Sequence, residues 1–262
     1  IDPRAPDQME NRARYAETLF QKRKRRGVAY SDALKLMRER NYFGAAMVEL
    51  GDADAMISGL TRNYGDATRP ALQVIGVDDG VNNIAGMYIV MTKQGPFFFA
   101  DTTVNYDPTP QELVDITILV EKIVKRFKVK PRIAFLSYSN FGSSEGEDAV
   151  KMREAVRLLH NQYPDIIVDG EVQANFALNR SLMRERFPFS ELSKKKTNTL
   201  IFPNLSAGNI SYKLMQELGG AEVIGPILLG MKKPVHVLQI GSSVREIVNM
   251  VAIAAADVQT RK

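Results

Sequence analysis

The sequence predicts an α/β fold of two lobes, with largely parallel sheets and flanking helices. Three observations carry that prediction. Short apolar runs alternate with stretches of helical periodicity, which is the pattern of parallel strands joined by crossover helices. A polar, turn-rich segment, Asp78-Asp79-Gly80-Val81-Asn82-Asn83, interrupts the alternation as a chain passing between lobes would. A second break near Met231 to Pro234 would return the chain to the first lobe. The expected boundaries are therefore 1–79 with 232–262 for one lobe and 80–231 for the other.

The chain opens with two helical segments, 6–26 and 31–40. Ser31 stands where an N-cap belongs, and Gly27 can supply a left-handed stop after the first helix. Apolar runs at 43–50, 53–58, 84–92, 97–100, 133–138, 166–168 and 200–202 suit buried or half-buried strands. Between and after them, 110–128, 146–163, 171–184, 207–218 and 244–259 carry helical spacing. A first lobe that begins with helices and has few strands is short of sheet. The expectation is a piece of a longer polypeptide whose first lobe lacks its N-terminal strands.

Composition excludes more than it specifies. In 262 residues, 45% are hydrophobic and 25% charged, enough for a sizeable core. No apolar run is long enough to cross a bilayer and no signal-peptide pattern opens the chain, so a cytoplasmic location is expected. With no cysteine there is no disulfide, thiolate metal site or cysteine nucleophile. A net charge of +5 favours anionic partners, concentrated in Lys22-Arg23-Lys24-Arg25-Arg26. That run lacks interleaved aromatic residues or a known module, so no nucleic-acid partner is expected; cations at a helix C-terminus fit it as well.

Several loops have the composition of an anion site. Ser137-Tyr138-Ser139-Asn140-Phe141-Gly142-Ser143-Ser144 follows an apolar run and precedes a helix, where backbone amides can approach a phosphate. Ser137, Ser139, Ser143 and Ser144 are its candidate ligands, although Glu145 and Glu147 compete for the same positive helix end. Arg69, directly before Pro70, is expected at a helix entrance, clamping a phosphate or carboxylate or else pairing with Asp66. Asp169 and Glu171 could form an acid/base pair but also suit a turn and cap. His160 and His236 have no ligand spacing around them, and no metal is assigned.

The most informative segment is 225–248, GPILLGMKKPVHVLQIGSSVREIV. It resembles the C-terminal signature of phosphate acetyltransferases, in which Gly-Pro, Gly-x-x-Lys-Pro and Leu-Ser-Arg-Gly lead into a helix carrying an Asp. Gly225-Pro226, Gly230, Lys233-Pro234, Leu238 and Gly241 match; Gln239 and Ile240 replace Ser-Arg, and Glu246 replaces Asp. The strings RKRRG, GDADAMISG, TRPALQ, FADTTVNYDPTPQEL, AFLSYS, PDIIVDGE and FPNLSAGNISYK extend the resemblance along the chain in order. The opening YAETLFQKRKRRGV and the closing SSVREIVNMVAIAAADVQ are similar to the phosphotransacetylase-like C-terminal region fused to bacterial malic enzyme.

The resemblance implies a fold shared with phosphate acetyltransferase and with isocitrate/isopropylmalate dehydrogenases. In the family the Asp takes a proton from the coenzyme A thiol, the Ser bonds the acetyl carbonyl, and arginines bind phosphate. Arg23 and Arg69 match two of those arginines. Gln239 can still donate a hydrogen bond, whereas Ile240 supplies neither charge nor donor; one such loss costs about 3 kcal/mol of barrier lowering. Glu246 could remain a base, or could close a capping box with Ser243.

The expected function is thus an acetyl-CoA-binding regulatory domain of a malic enzyme, itself without transferase activity, with the ligand in the cleft between lobes. An active phosphate acetyltransferase and a ligand-free oligomerisation domain are the alternatives. Expected partners are acetyl-CoA or a related acyl-CoA, the malic enzyme catalytic portion of the same polypeptide, and further copies of the chain, with no nucleic acid and no membrane. No cofactor is expected within these residues. NAD or NADP and a divalent metal would belong to the malic enzyme portion.

Overall fold

Residues 1–261 are described by a computed structural model. Contacts divide the chain into two units, Ile1–Val81 with the segment from Gly230 onward, and Asn82–Leu229. Lys262, the last residue of the expected first lobe, lies outside the described residues. The α/β class with mostly parallel strand pairing is what the sequence predicts.

The first unit begins with α1 (Met9–Arg23), which buries Tyr15, Ala16 and Leu19 on one stripe. A short 3₁₀ turn then stops at Gly27, whose φ of 82° is the predicted left-handed cap. Next come α2 (Tyr30–Leu36), α3 (Arg40–Leu50), β1 (Met56–Gly59) and α4 (Tyr64–Val74). Two expectations are corrected here. Residues 43–50 form the body of α3, not a strand: short apolar runs carry no decisive period, two alanines favour helix, and Gly51 at φ 84° closes it. Asp52 N donating to Met47 O at 2.8 Å completes that C-terminal motif. Arg69 and Pro70 lie inside α4, not at its entrance. Buried Ala67, Pro70, Ala71 and Val74 recur at helical spacing, and that apolar face outweighs the missing proline N–H.

The second unit holds β2 (Ala85–Thr92), β3 (Gly95–Ala100), α5 (Pro110–Arg126), β4 (Ile133–Leu136), α6 (Glu147–Gln162), β5 (Val168–Val172), α7 (Ala174–Leu178), α8 (Arg180–Arg186), β6 (Thr199–Ile201), α9 (Leu205–Glu217) and β7 (Glu222–Leu229). Its sheet runs β5-β4-β6-β3-β2-β7. The first three of these pairings are parallel, and β2 pairs antiparallel with both β3 and β7. Residues 171–184 are not one helix: Glu171 belongs to β5, and Asn179 interrupts the helical stretch to cap α8 through Leu182 N at 3.0 Å. Tyr88, Phe97, Phe99, Leu200 and Phe202 pack with Ala177, Met183 and Tyr212 of α7, α8 and α9, while α5 and α6 pack on the sheet as well, α5 on β2 and β3 and α6 on β4 and β5. Thr109 and Glu112 form a capping box that starts α5.

The chain then rejoins the first unit through β8 (Val235–Leu238) and α10 (Val244–Arg261). Neither β7 nor β8 was among the expected strands. β8 lies parallel to β1, pairing Met56 with Val235 and Gly59 with Leu238. Gly59 is required at that join, because φ is 113° and a Cβ would stand 2.1 Å from Leu238 O. Among the described residues, no helix is long and apolar enough to cross a membrane.

Two measurements follow from the first unit. Gly59→Ala is expected to destabilise it by about 2–4 kcal/mol in denaturant unfolding, through backbone strain and the clash with β8. His236, buried in β8, is held neutral: burial lowers its pKa to about 4, with Asp257 opposing and Arg261 assisting. The unfolded imidazole takes a proton near pH 6.5, so this contribution is complete above that pH and is lost as pH falls towards 4. The loss is about 3 kcal/mol at most, and His236→Gln is expected to flatten that limb of the stability curve.

Candidate functional site

In the first unit, the loop leaving β1, the start of α3, the middle of α4 and the turn after β8 enclose a pocket of about 480 Å³. Asn41, Tyr42, Arg62, Arg69 and Ile240 are among its walls. The Arg69 guanidinium is two-thirds exposed and reaches Asp66 only at 3.9 Å, so this ion pair constrains it little. The Tyr42 hydroxyl donates to Gln73 Oε1 at 2.6 Å. Burial raises the Tyr42 pKa, while the positive charges of Arg69 and Arg23 pull it the other way. Both arginines selected from the sequence thus act electrostatically on one phenol from different helices, but only Arg69 lines the pocket. Arg23 Nε is buried and has no hydrogen-bond partner.

The turn after β8 carries the substituted positions. Ser242 N donates to Gln239 O at 3.2 Å, and Gly241 takes φ 88° to make the reversal. Ile240 is 66% exposed and faces the same pocket as Arg69. Gln239 and Glu246 are half-buried and are not among the lining residues. The Glu246 carboxylate accepts from Ser243 N, and Glu246 N donates to Ser243 Oγ at 3.2 Å. This reciprocal pair is the capping box that the sequence allowed, and it engages the carboxylate that a base would need.

The four serines of the second candidate site belong to the other unit. Ser139 is fully buried and donates from Oγ to Glu171 Oε1 at 2.9 Å, beside Gly142 N at 2.8 Å. Arg153 Nε stands 3.4 Å from the second oxygen of the fully buried Glu171. Ser143 Oγ contacts Ser139 Oγ and accepts from Asn140 N at 2.9 Å, while Ser137 Oγ accepts from Ser139 N at 3.2 Å. Ser144 O accepts from Arg153 at 2.9 Å. The loop is thus ordered around a buried carboxylate, its hydroxyls already engaged. Asp169 accepts from Gly170 N, so the notional Asp169–Glu171 pair is divided between a local turn and the loop's anchor.

Sequence reasoning missed Asn41, Tyr42 and Asp101. Asn41 and Tyr42 were obscured by reading the following residues as a strand, which hid the helix N-terminus they occupy. Glu171, offered with Asp169 as an acid/base pair or a turn and cap, instead anchors the serine loop. Asp101 is 2% exposed and gathers the N–H groups of Gly86, Thr103, Val104 and Asn105. Burial raises its pKa against those donors. The signal for it was present in FADTTVN, where an Asp ends an apolar strand.

Arg62 and Arg69 share the pocket wall with Glu39 and Asp66, on an α/β scaffold. The profile described as Phosphate acetyl/butaryl transferase matches residues 1–255, and the chain belongs to that family. It is 41% identical over 248 residues to the NADP-dependent malic enzyme of Salmonella typhimurium, covering 94% of this chain and 32% of that protein. The phosphate acetyltransferase of Bacillus subtilis is 36% identical over 237 residues, covering 90% of this chain and 73% of that one. Among solved structures, a phosphotransacetylase from Streptococcus pyogenes superposes with a TM-score of 0.88 at 34% identity, over 99% of this chain and 78% of its own. The chain spans about a third of the length of the malic enzymes it matches.

If the polar groups above are structural, removing them costs stability. Ser243→Ala is expected to lower the unfolding free energy by about 1 kcal/mol through loss of the cap. Ser139→Ala is expected to cost about 1–3 kcal/mol by leaving Glu171 short of a donor. Chemical denaturation of the two variants checks both values.

Proposed function

We propose that this chain is the acyl-CoA-binding regulatory module of a malic enzyme, holding acetyl-CoA or a related acyl-CoA without transferring its acyl group at an ordinary enzymatic rate. The observation that carries the reading is Ile240, 66% exposed on the wall that also bears Arg69. An arginine there would present charge and donors to a developing oxyanion; isoleucine presents neither, while Arg62 and Arg69 stay on the pocket wall beside Glu39 and Asp66. Binding is thereby separated from turnover. The engaged Glu246 carboxylate supports the same reading, since it is committed to Ser243 N.

Regulation requires that the ligand bind two conformations of the whole enzyme with different affinity. The malic enzyme portion would supply malate oxidation and decarboxylation, and the chain would assemble as a homo-oligomer. Calorimetry with acetyl-CoA is expected to give saturable binding, weakened roughly 10-fold or more in Arg69→Ala by loss of charge-assisted hydrogen bonds. No binding at millimolar ligand would remove the ligand assignment. With acetyl phosphate and coenzyme A, turnover is expected to fall at least about 10³-fold below the common enzymatic value of ~10 per second. Turnover near that value would instead establish a working transferase.

A further inference from the structure

The run 22–26 is not the only concentration of cations. In the second unit β3, β4 and β6 lie parallel, so the segments leading into them meet at one edge of the sheet. Those segments supply Lys93, Lys128, Lys130, Arg132, Lys195 and Lys196, none of which has an ion pair among the described residues. Hydrogen bonds tie them into one strip. Arg132 Nε donates to Lys196 O, and Lys196 Nζ donates to Gln94 O at 2.9 Å. Asn198 Nδ2 donates to Lys130 O at 3.0 Å while its Oδ1 accepts from Arg132 N at 2.8 Å. Of the acids at this edge, Glu191 is already paired with Lys194, and Glu222 stands opposite Met91 in β7. Like charges gathered at one edge repel, and a counter-charge from outside relieves that repulsion.

The strip borders an apolar recess of about 480 Å³ that lies wholly within this unit. Lys93 and Gln94 line it together with Phe97, Phe99, Leu178 and Met215. Phe97 and Phe99 are each 6% exposed, whereas Leu178 is 42% and Met215 38% exposed, so the rings lie deep and the aliphatic side chains stand at the mouth. Lys196 Nζ sits 5.5 Å from the centre of the Phe97 ring. An apolar hollow beside unpaired cations has the anatomy of an interface hot spot and its rim: one anchor side chain is buried, and the surrounding charges select and orient the partner.

We infer that this edge is a docking site for an acidic polypeptide segment, with an aromatic or large aliphatic anchor seated over Phe97 and Phe99 and carboxylates laid along the basic strip. Nucleic acid fits the edge less well, because bases need open rings to stack on and these two are covered. A lipid surface fits no better, since a recess offers no side chain to insert. Strand direction also sets this edge apart from the carboxyl ends, where α/β sheets place their ligands. The inference therefore does not depend on the acyl-CoA reading.

Fluorescence anisotropy on the intact chain tests it, with a labelled peptide in which one phenylalanine is flanked on both sides by aspartate and glutamate. Saturable binding is expected at low salt, declining as added salt screens the charges. Reversing two exposed side chains together, Lys93→Glu with Lys195→Glu, is expected to weaken it about 10-fold or more, and replacing the peptide's phenylalanine by serine to do the same. Leu178→Gln, at the mouth of the recess, gives the same readout if the charge reversals disturb folding. No saturation, equal affinity for the serine peptide, or unchanged affinity in the folded variants overturns the inference. Tighter binding of oligouridylate or of phosphatidylserine vesicles, lost in the charge-reversed variant, also overturns it and assigns the edge to nucleic acid or membrane. Self-association abolished by that variant overturns it in favour of a second copy of the chain. Peptide binding without acetyl-CoA binding in calorimetry leaves this site standing and removes the acyl-CoA reading, and acetyl-CoA binding without peptide binding does the reverse.

Discussion

The parallel pairing of β1 with β8 is the constraint on which the first unit depends. It joins Met56–Gly59 to Val235–Leu238, segments separated by the whole second unit, through a two-stranded sheet. Because the strands run the same way, their carboxyl ends emerge together. The loop carrying Arg62 and the turn carrying Ile240 therefore share a pocket. Gly59 permits the close approach, and buried His236 lies in the paired strand with its charge suppressed.

Around that junction, the pocket wall sets Arg62 and Arg69 beside Glu39 and Asp66, with Ile240 among them. Arg69 is loosely held, Arg23 has an unsatisfied Nε, and both act on Tyr42. The side chain that could have answered a developing negative charge is aliphatic and exposed. An aliphatic side chain there offers no donor to a charge that would develop only in a transition state. The same logic distinguishes the serine loop of the second unit, where Glu171 has already claimed the donors that a phosphate would need.

Much of the fold was legible because amphipathic periodicity and caps are local. The long helices α1, α5, α6, α9 and α10 were read correctly in place, as were the left-handed stop at Gly27 and the capping option at Ser243 and Glu246. Errors occurred where an apolar run is short or tertiary contacts decide. Residues 43–50 are apolar except for Glu49, a run too short to set a period, so strand and helix looked alike. At Arg69-Pro70, the proline suggested an entrance, but the buried stripe of α4 continues through it.

By itself the sequence determined the α/β class, the family resemblance, the cationic character and the substitution at Gln239, Ile240 and Glu246, because each is a property of residue types in order. Only the tertiary structure decided that the charges of Arg23 and Arg69 both act on Tyr42, that Ser139 serves a buried carboxylate, and that Asn41 is left with an unanswered donor. Those facts concern which atoms are brought within hydrogen-bond or Coulomb range and which are removed from water. Contacts between distant segments set both, and no local pattern encodes them.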